Sequence, residues 1–336
     1  MLYLKYKTIT TPFRYPFRTA HGLKTEQPAL LVALSFSGIT GFGEAPAIHY
    51  YGVDTQSMLA KLTEKKDLIE RYAFTEPERF WHYCHHLFPN DSFLVCALDM
   101  AYWDLYAKFK KTSFRKLWKF DDGLEPLTDY TIGLDDPDKM LEKMKAQPWP
   151  IYKIKVSEPA HLDLLKTIRK ESRSKIRIDA NAGWTPEQAF QLLPELEKLQ
   201  IELIEQPLAS TEHDAMRALK AISKIPLIAD ESCVSEEDVA GLADQFHGIN
   251  IKLTKCGGIT PALRMIQEAR ELGLQVMLGC MNETEIGTYP MVHMASQVDY
   301  VDLDGPLLLD VPEPAFFGYD AGKLFMKPHP AFGDRR

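Results

Sequence analysis

The chain has 336 residues, 45% of them hydrophobic, and a formal net charge of −8 at neutral pH. That is enough apolar side chain to bury the core of one large domain or two ordinary ones. With Lys and Arg scattered along an acidic chain, there is no basic footprint for nucleic acid or an anionic membrane. No apolar run approaches the roughly 18 residues of a membrane helix. The five cysteines (Cys84, Cys96, Cys233, Cys256, Cys280) form no CxxC pair, and the opening MLYLKYK brings charge too early for a secretory leader. The expected setting is the cytoplasm and the expected partner a small molecule, with no nucleic acid and no membrane. Subunit number stays open between monomer and homo-oligomer.

Residues 1–125 read as an α+β unit. An extended opening leads to LLVALSFSGITGFGEAP, a strand, a Gly turn and a second strand, and then to a helical region ending in DSFLVCALDMAYWDLYAKFKK, where Val95, Leu98, Ala101, Tyr102 and Leu105 recur at helical spacing. From residue 126 to 311 short apolar runs alternate with amphipathic helices such as 186–199 and 260–273. The runs are DYTIGL, IYKIKV, KIRIDAN, IELIEQP, IPLIADES, GINIKL, LQVMLGCM and YVDLDG. Strand and helix in alternation imply parallel strands, and eight of them suggest a closed (β/α)8-type barrel, an α/β fold. The competing open doubly wound sheet lacks its phosphate loop: GFGEAP has Pro46 where a third glycine belongs and sits in a hairpin. The tail, 312–336, is expected to run back over the first domain and complete it.

Barrel chemistry sits at the C-terminal ends of the strands. Those ends carry Lys155 (second), Asp179 (third), Glu205 (fourth), Asp230 (fifth), Lys252 (sixth), and Asp302 and Asp304 (eighth). Any one of these reads as a helix cap or a plain loop residue. Together, three carboxylates at one height on adjacent strands would repel without a cation. Oxygen donors with no His or Cys point to Mg²⁺, with Mn²⁺ as substitute.

Strands two and six lie four apart in a ring of eight, so Lys155 and Lys252 face one another across the mouth. A carbon held between them is deprotonated from one side and reprotonated from the other, which inverts a stereocentre. Removing a proton beside a carboxylate builds an enediolate, which a bound cation stabilises. Lys153, on the same strand face as Lys155, is expected to lower its neighbour's pKa by like charge and to touch the substrate.

These segments resemble the enolase superfamily, in its muconate-lactonizing-enzyme-like subgroup: KIK at 153–155, IDANAGW at 178–184, IEQP at 204–207, ADES at 229–232 and IKLTKCGGIT at 251–260, with ALDMAYWDLYAK and GFGEAP similar to its capping-domain signatures. The resemblance implies a (β/α)7β modified TIM barrel under an α+β capping domain. It also implies Lys155 and Lys252 as bases, Asp179, Glu205 and Asp230 on Mg²⁺, and Lys255 as a loop residue. DLDG at 302–305 resembles the DxD motif of the dipeptide epimerases, whose aspartates take the substrate's α-ammonium; the eighth strand lies opposite the fourth, so a zwitterion of dipeptide length spans the mouth. The expected substrate contacts are Lys153, Thr131, Met281, Asp302 and Asp304. The expected activity is epimerisation of Ala-X dipeptides with small or apolar X, since Gly22 occupies the place of the group's basic residue for glutamate; Arg18 and Lys24 are the alternatives there. An N-acylamino acid racemase or a cycloisomerase of the same subgroup is the alternative enzyme. A barrel hydrolase leaves two opposed lysines without a role, and a peptide-binding protein leaves paired bases without one. Gly279-Cys280-Met281 stands where mandelate-racemase-like members have a His base. His82, Cys84, His85 and His86 are spaced for no single tetrahedral zinc site, and Cys280 is expected to line the pocket.

Overall fold

The computed structural model describes residues 1–19, 22–120, 126–156, 158 and 161–327, with the backbone alone at 18 and 19. Strands β1 (Tyr3–Thr19), β2 (Gly22–Phe36) and β3 (Ile39–Pro46) form an antiparallel sheet. The β2–β3 turn places Ser37 at φ 51° and Gly38 at φ 78°, the left-handed pair that a tight hairpin requires. Helices α1 (Thr55–Glu70), α2 (Pro77–Leu87), α3 (Ser92–Phe109) and the short α4 (Phe114–Trp118) follow. Asp54 caps α1 by accepting from the Ser57 N–H at 2.8 Å. Helix α3 is buried on almost every face, because it is sandwiched between the three-stranded sheet and the barrel.

The eight expected runs form one parallel sheet: β4 (Tyr130–Ile132), β5 (Ile151–Lys155), β6 (Lys175–Asp179), β7 (Ile201–Glu205), β8 (Leu227–Ala229), β9 (Gly248–Ile251), β10 (Gln275–Gly279) and β11 (Tyr300–Asp302), in that spatial order. The ring closes between its first and last members, where Thr128 bridges Val301 and the Asp129 N–H donates to the Val301 carbonyl at 3.3 Å. Between them run α5 (Pro137–Ala146), α6 (His161–Glu171), α7 (Pro186–Lys198), α8 (His213–Ile222), α9 (Val239–Leu242), α10 (Leu253–Cys256), α11 (Ile259–Glu271) and α12 (Glu285–Met294). Among the described residues the four-residue α13 (Gly305–Leu308) is the only helix after β11, so the architecture is the (β/α)7β variant of the barrel.

Residues just before the tail meet β1, with Phe13 bridging Leu309 and the Asp310 N–H donating to the Pro12 carbonyl. Beyond them the hairpin β12 (Phe317–Asp320) and β13 (Lys323–Met326) packs on the barrel: Phe317 and Leu324 join the core cluster of the barrel strands, and the Thr128 N–H donates to the Gly322 carbonyl at 2.8 Å. The described part of 312–327 therefore packs on the barrel, in a core cluster that also takes in Trp103 and Phe114 of the first domain. Residues 121–125, at the expected domain boundary, and 328–336 lie outside the described residues.

Candidate functional site

A cavity of about 510 Å³ opens where the strand ends meet the first domain. Phe17, Lys24 and His49 to Tyr51 roof it, and Lys153, Lys155, Asp230, Lys252, Asp302 and Asp304 are among the groups that floor it. Thr131 and Met281, expected as contacts, also line it.

One carboxylate oxygen from each of Asp179, Glu205 and Asp230 lies within 4.8 Å of the others, and all three residues are buried. Lys155 Nζ stands 2.6 Å from Asp179 Oδ2 and Lys252 Nζ 2.6 Å from Asp230 Oδ2, so the two amines bracket the trio from its two ends. Lys153 Nζ lies 2.6 Å from Glu205 Oε2, close in distance but out of hydrogen-bond alignment. Burial pushes Asp179 and Asp230 up, but Lys155 and Lys153 outweigh it at Asp179 and bring it to about 2, and Lys252 and Lys255 hold Asp230 well below the carboxylate range. Glu205 goes the other way, raised to about 7 by burial and then by Asp179. Compact, oxygen-only and charge-crowded, this trio fits a hard divalent cation.

The lysines differ from expectation in one respect. Burial lowers Lys252, yet Asp230 and Glu205 outweigh burial and hold it well above an ordinary lysine. Lys153 is likewise raised against burial by Asp302, Glu205 and Asp179. Its charge is spent on those three acids, so it is not a bare like charge beside Lys155. Apart from those of Asp302, the carboxylates named here as holding these amines protonated belong to the trio that would hold a cation.

A second acidic group, Asp129, Asp302 and Asp304, gathers at the seam of the barrel. Arg177 Nη1 donates to Asp129 Oδ2 at 2.9 Å, Lys153 Nζ to Asp302 Oδ2 at 2.7 Å, and the Thr131 N–H to Asp304 Oδ2 at 2.5 Å. Asp304 is raised to about 7 by burial and by Asp302. Neither cation belongs to this group alone, since Lys153 also meets Glu205 and Asp179 and Arg177 also meets Glu202; Asp302 and Asp304 both line the cavity.

Several functional neighbours escaped the sequence reading. Lys255 is no loop residue: on α10 it is 2% exposed, with Nζ on Asp230 Oδ1 at 2.5 Å. Asn250 donates to Glu205 Oε1 at 2.8 Å. Gln206 accepts from the N–H groups of Asp230 (2.9 Å) and Ser232 (3.1 Å), tying the fourth strand's turn to the fifth's. Alternation offered a signal for Asn250, two residues before Lys252 and thus on its face. Glu231 also lines the cavity, raised to about 8 by burial and Asp230.

The weaker candidates separate as the packing dictates. Cys84 is buried in the core while His82, His85 and His86 are exposed, so no zinc site assembles from them. The Cys280 thiol is pushed up by burial and by Asp302, and its Sγ accepts from the Gly305 N–H at 3.2 Å. Lys24 reaches the cavity wall, lowered by burial and by Lys155 and Lys252; the Arg18 side chain lies outside the described residues.

Comparison with known proteins places this geometry. Residues 4–118 match the mandelate racemase / muconate lactonizing enzyme N-terminal domain, and 137–307 the enolase C-terminal domain-like model. An L-Ala-D/L-amino acid epimerase of Flavobacterium johnsoniae is 44% identical over 84% of each chain. The substrate-liganded L-Ala-D/L-Glu epimerase of Bacillus subtilis superposes with a TM-score of 0.89 at 27% identity, over 96% of this chain and 95% of that one. A dipeptide epimerase of Methylococcus capsulatus, complexed with Mg and L-Arg-D-Lys, gives 0.90 at 27% identity, over 98% and 97%. This chain belongs to the mandelate racemase / muconate lactonizing enzyme family of the enolase superfamily.

Proposed function

We propose that the chain is an isomerase, a Mg²⁺-dependent dipeptide epimerase that inverts the α-carbon of the C-terminal residue of Ala-X dipeptides. The observation that carries this reading is the placement of two amines at the two ends of one acid trio, with Asp302 and Asp304 lining the same cavity. Its support from relatives is their naming as dipeptide and L-Ala-D/L-amino acid epimerases, one of them complexed with Mg and a dipeptide. Asp179, Glu205 and Asp230 would hold the metal. A divalent ion there supplies positive charge against the second negative charge that builds on a carboxylate when its α-proton leaves.

In this reading Lys155 and Lys252 carry the proton to and from opposite faces of the α-carbon, Lys153 keeps Glu205 and Asp302 charge-compensated, and Asp302 with Asp304 takes the free α-ammonium. An N-acylated substrate has no ammonium to offer those acids, which disfavours the racemase alternative. Small or apolar X suits the wall of Phe17, Ile48, Tyr50 and Tyr51. A second reading, acidic X, is favoured by Lys24, whose amine reaches the same wall.

The test is proton exchange. Incubating a dipeptide panel with enzyme and Mg²⁺ in D₂O should wash deuterium into the α-position of the second residue and racemise that centre alone. Faster exchange with Ala-Leu than Ala-Glu supports the apolar reading, and the reverse order the acidic one. No exchange across the panel sinks the assignment.

A further inference from the structure

The three clustered carboxylates divide their oxygens in the same way. One oxygen of each is tied to a donor fixed in the fold: Asp179 Oδ1 to the Asn181 N–H at 2.9 Å, Glu205 Oε1 to Asn250 Nδ2 at 2.8 Å, and Asp230 Oδ1 to Lys255 Nζ at 2.5 Å. The other oxygen of each faces a lysine: Lys155, Lys153 and Lys252, each at 2.6 Å.

The fixed donors have little freedom. Lys255 also donates to the carbonyls of Asp230 (2.6 Å) and Asn250 (3.2 Å), so its three N–H groups are all spent inside the protein. Asn250 is fully buried, wedged beside Gly279, where an added Cβ would come within 2.6 Å of Asn250 Oδ1. Lys155 and Lys252 instead line the cavity.

A carboxylate with one oxygen tied to an immobile donor offers only the other as a ligand. Mg²⁺ demands near-octahedral single-oxygen ligation, whereas Ca²⁺ accepts more ligands and both oxygens of one carboxylate. We infer that Asn250 and Lys255 are positioning residues that hold Glu205 and Asp230 to one ligand oxygen each, and thereby select Mg²⁺ over Ca²⁺ at this centre. The inference rests on the metal centre proposed for the trio. It differs from a plain charge effect of Lys255: an ammonium that merely repelled cations would, once removed, leave both ions bound more tightly by similar factors.

The experiment is calorimetric titration of the full chain, without substrate, by MgCl₂ and by CaCl₂. It compares wild type, Lys255→Met and Asn250→Leu, with circular dichroism to verify folding. Each variant should lower the Mg²⁺:Ca²⁺ affinity ratio by about tenfold or more, within the 10- to 100-fold that loss of an outer-layer partner costs in affinity for a single metal. Lys255→Gln, which keeps an N–H donor, should recover part of the ratio. Should Lys255→Met fail to fold, Asn250→Leu reads the same constraint at Glu205. A ratio unchanged in the folded variants, or a parallel tightening of both ions, overturns the inference while wild-type Mg²⁺ binding stands. A wild-type chain that takes up no Mg²⁺ overturns the metal centre and this inference together.

Discussion

Lys153 Nζ lies 2.7 Å from Asp302 Oδ2 and 2.6 Å from Glu205 Oε2, so one ammonium links the acids of the barrel seam to the acid trio. Removing it leaves Asp302 and Glu205, two buried carboxylates to which no other cation among the described residues lies as close. Lys153→Met keeps the apolar stem and is predicted to cost about 3–5 kcal/mol, the usual loss when one member of a buried ion pair is deleted. Urea unfolding of the metal-free chain near neutral pH measures it, and a loss under about 1 kcal/mol would show that the acids relax by taking up protons instead.

Lys155 and Lys252 stand at opposite ends of the trio, and the two-base reading makes a directional prediction. Lys155→Ala and Lys252→Ala should each lower epimerisation by about 10²–10⁴-fold or more, as expected for a lost general acid–base group. In D₂O, each variant should retain exchange with at most one of the two epimers, and the two variants should retain it with opposite ones. NMR of the α-proton reads this directly. Equal residual exchange of both epimers by one variant would mean that a single base serves both faces.

Asp302 is predicted to matter through the substrate's charge. Asp302→Asn removes one negative charge from the seam, so KM for a free dipeptide should rise about tenfold or more, in line with loss of a charge-assisted hydrogen bond. The N-acetylated dipeptide, which carries no ammonium, is the control. If both substrates suffer alike, the seam acids serve the fold rather than recognition.

Much of this was legible in the sequence because the barrel repeats one rule: short apolar runs end in a polar residue at the mouth. IYKIK, KIRID and IELIE each deliver their last side chain to the site, and alternation alone puts Lys153 beside Lys155. What stayed hidden depends on contacts between distant turns. Lys255 follows a helical turn after Lys252, and only the packing of α10 against the fifth strand's end brings it to Asp230. Asp129 reads as the polar start of a strand, and its pairing with Arg177 needs ring closure. The docking of the tail was hidden for a similar reason: which surface Phe317 and Leu324 cover is set by the shape of the barrel wall.

The glycines of GFGEAP have a packing role. A Cβ on Gly43 would meet the Ala97 carbonyl oxygen, and one on Gly41 the Ala101 carbonyl oxygen, because β3 lies directly on the backbone of α3. Glu44, between them and α12, accepts from the Thr284 N–H at 3.0 Å and so fastens this sheet to the barrel. Gly43→Ala is therefore predicted to cost about 1–3 kcal/mol or more, the range of overpacked core sites. Thermal unfolding should show it, and a Tm equal to wild type would mean that α3 shifts without cost.

Asp99 supplies a second clasp between the domains and gives stability a defined pH dependence. Its carboxylate, fully buried on α3, accepts from the Thr260 N–H and hydroxyl at 2.9 Å each, at the start of α11. Burial outweighs those hydrogen bonds and raises it to about 7, against about 3.9 in an unfolded chain. Between these values the folded state binds the extra proton, so stability from this group is complete below about pH 4 and is lost as pH rises through 7. Asp104 is raised to about 7 by burial against the pull of Lys108, and adds a slope of the same sign. Asp99→Asn removes the first contribution and keeps the shape. Its Tm should fall less steeply than that of wild type between pH 5 and 8, with the variant's deficit largest at the acid end of that window. Parallel Tm profiles for the two proteins would show that the buried carboxyl does not change its protonation across that range.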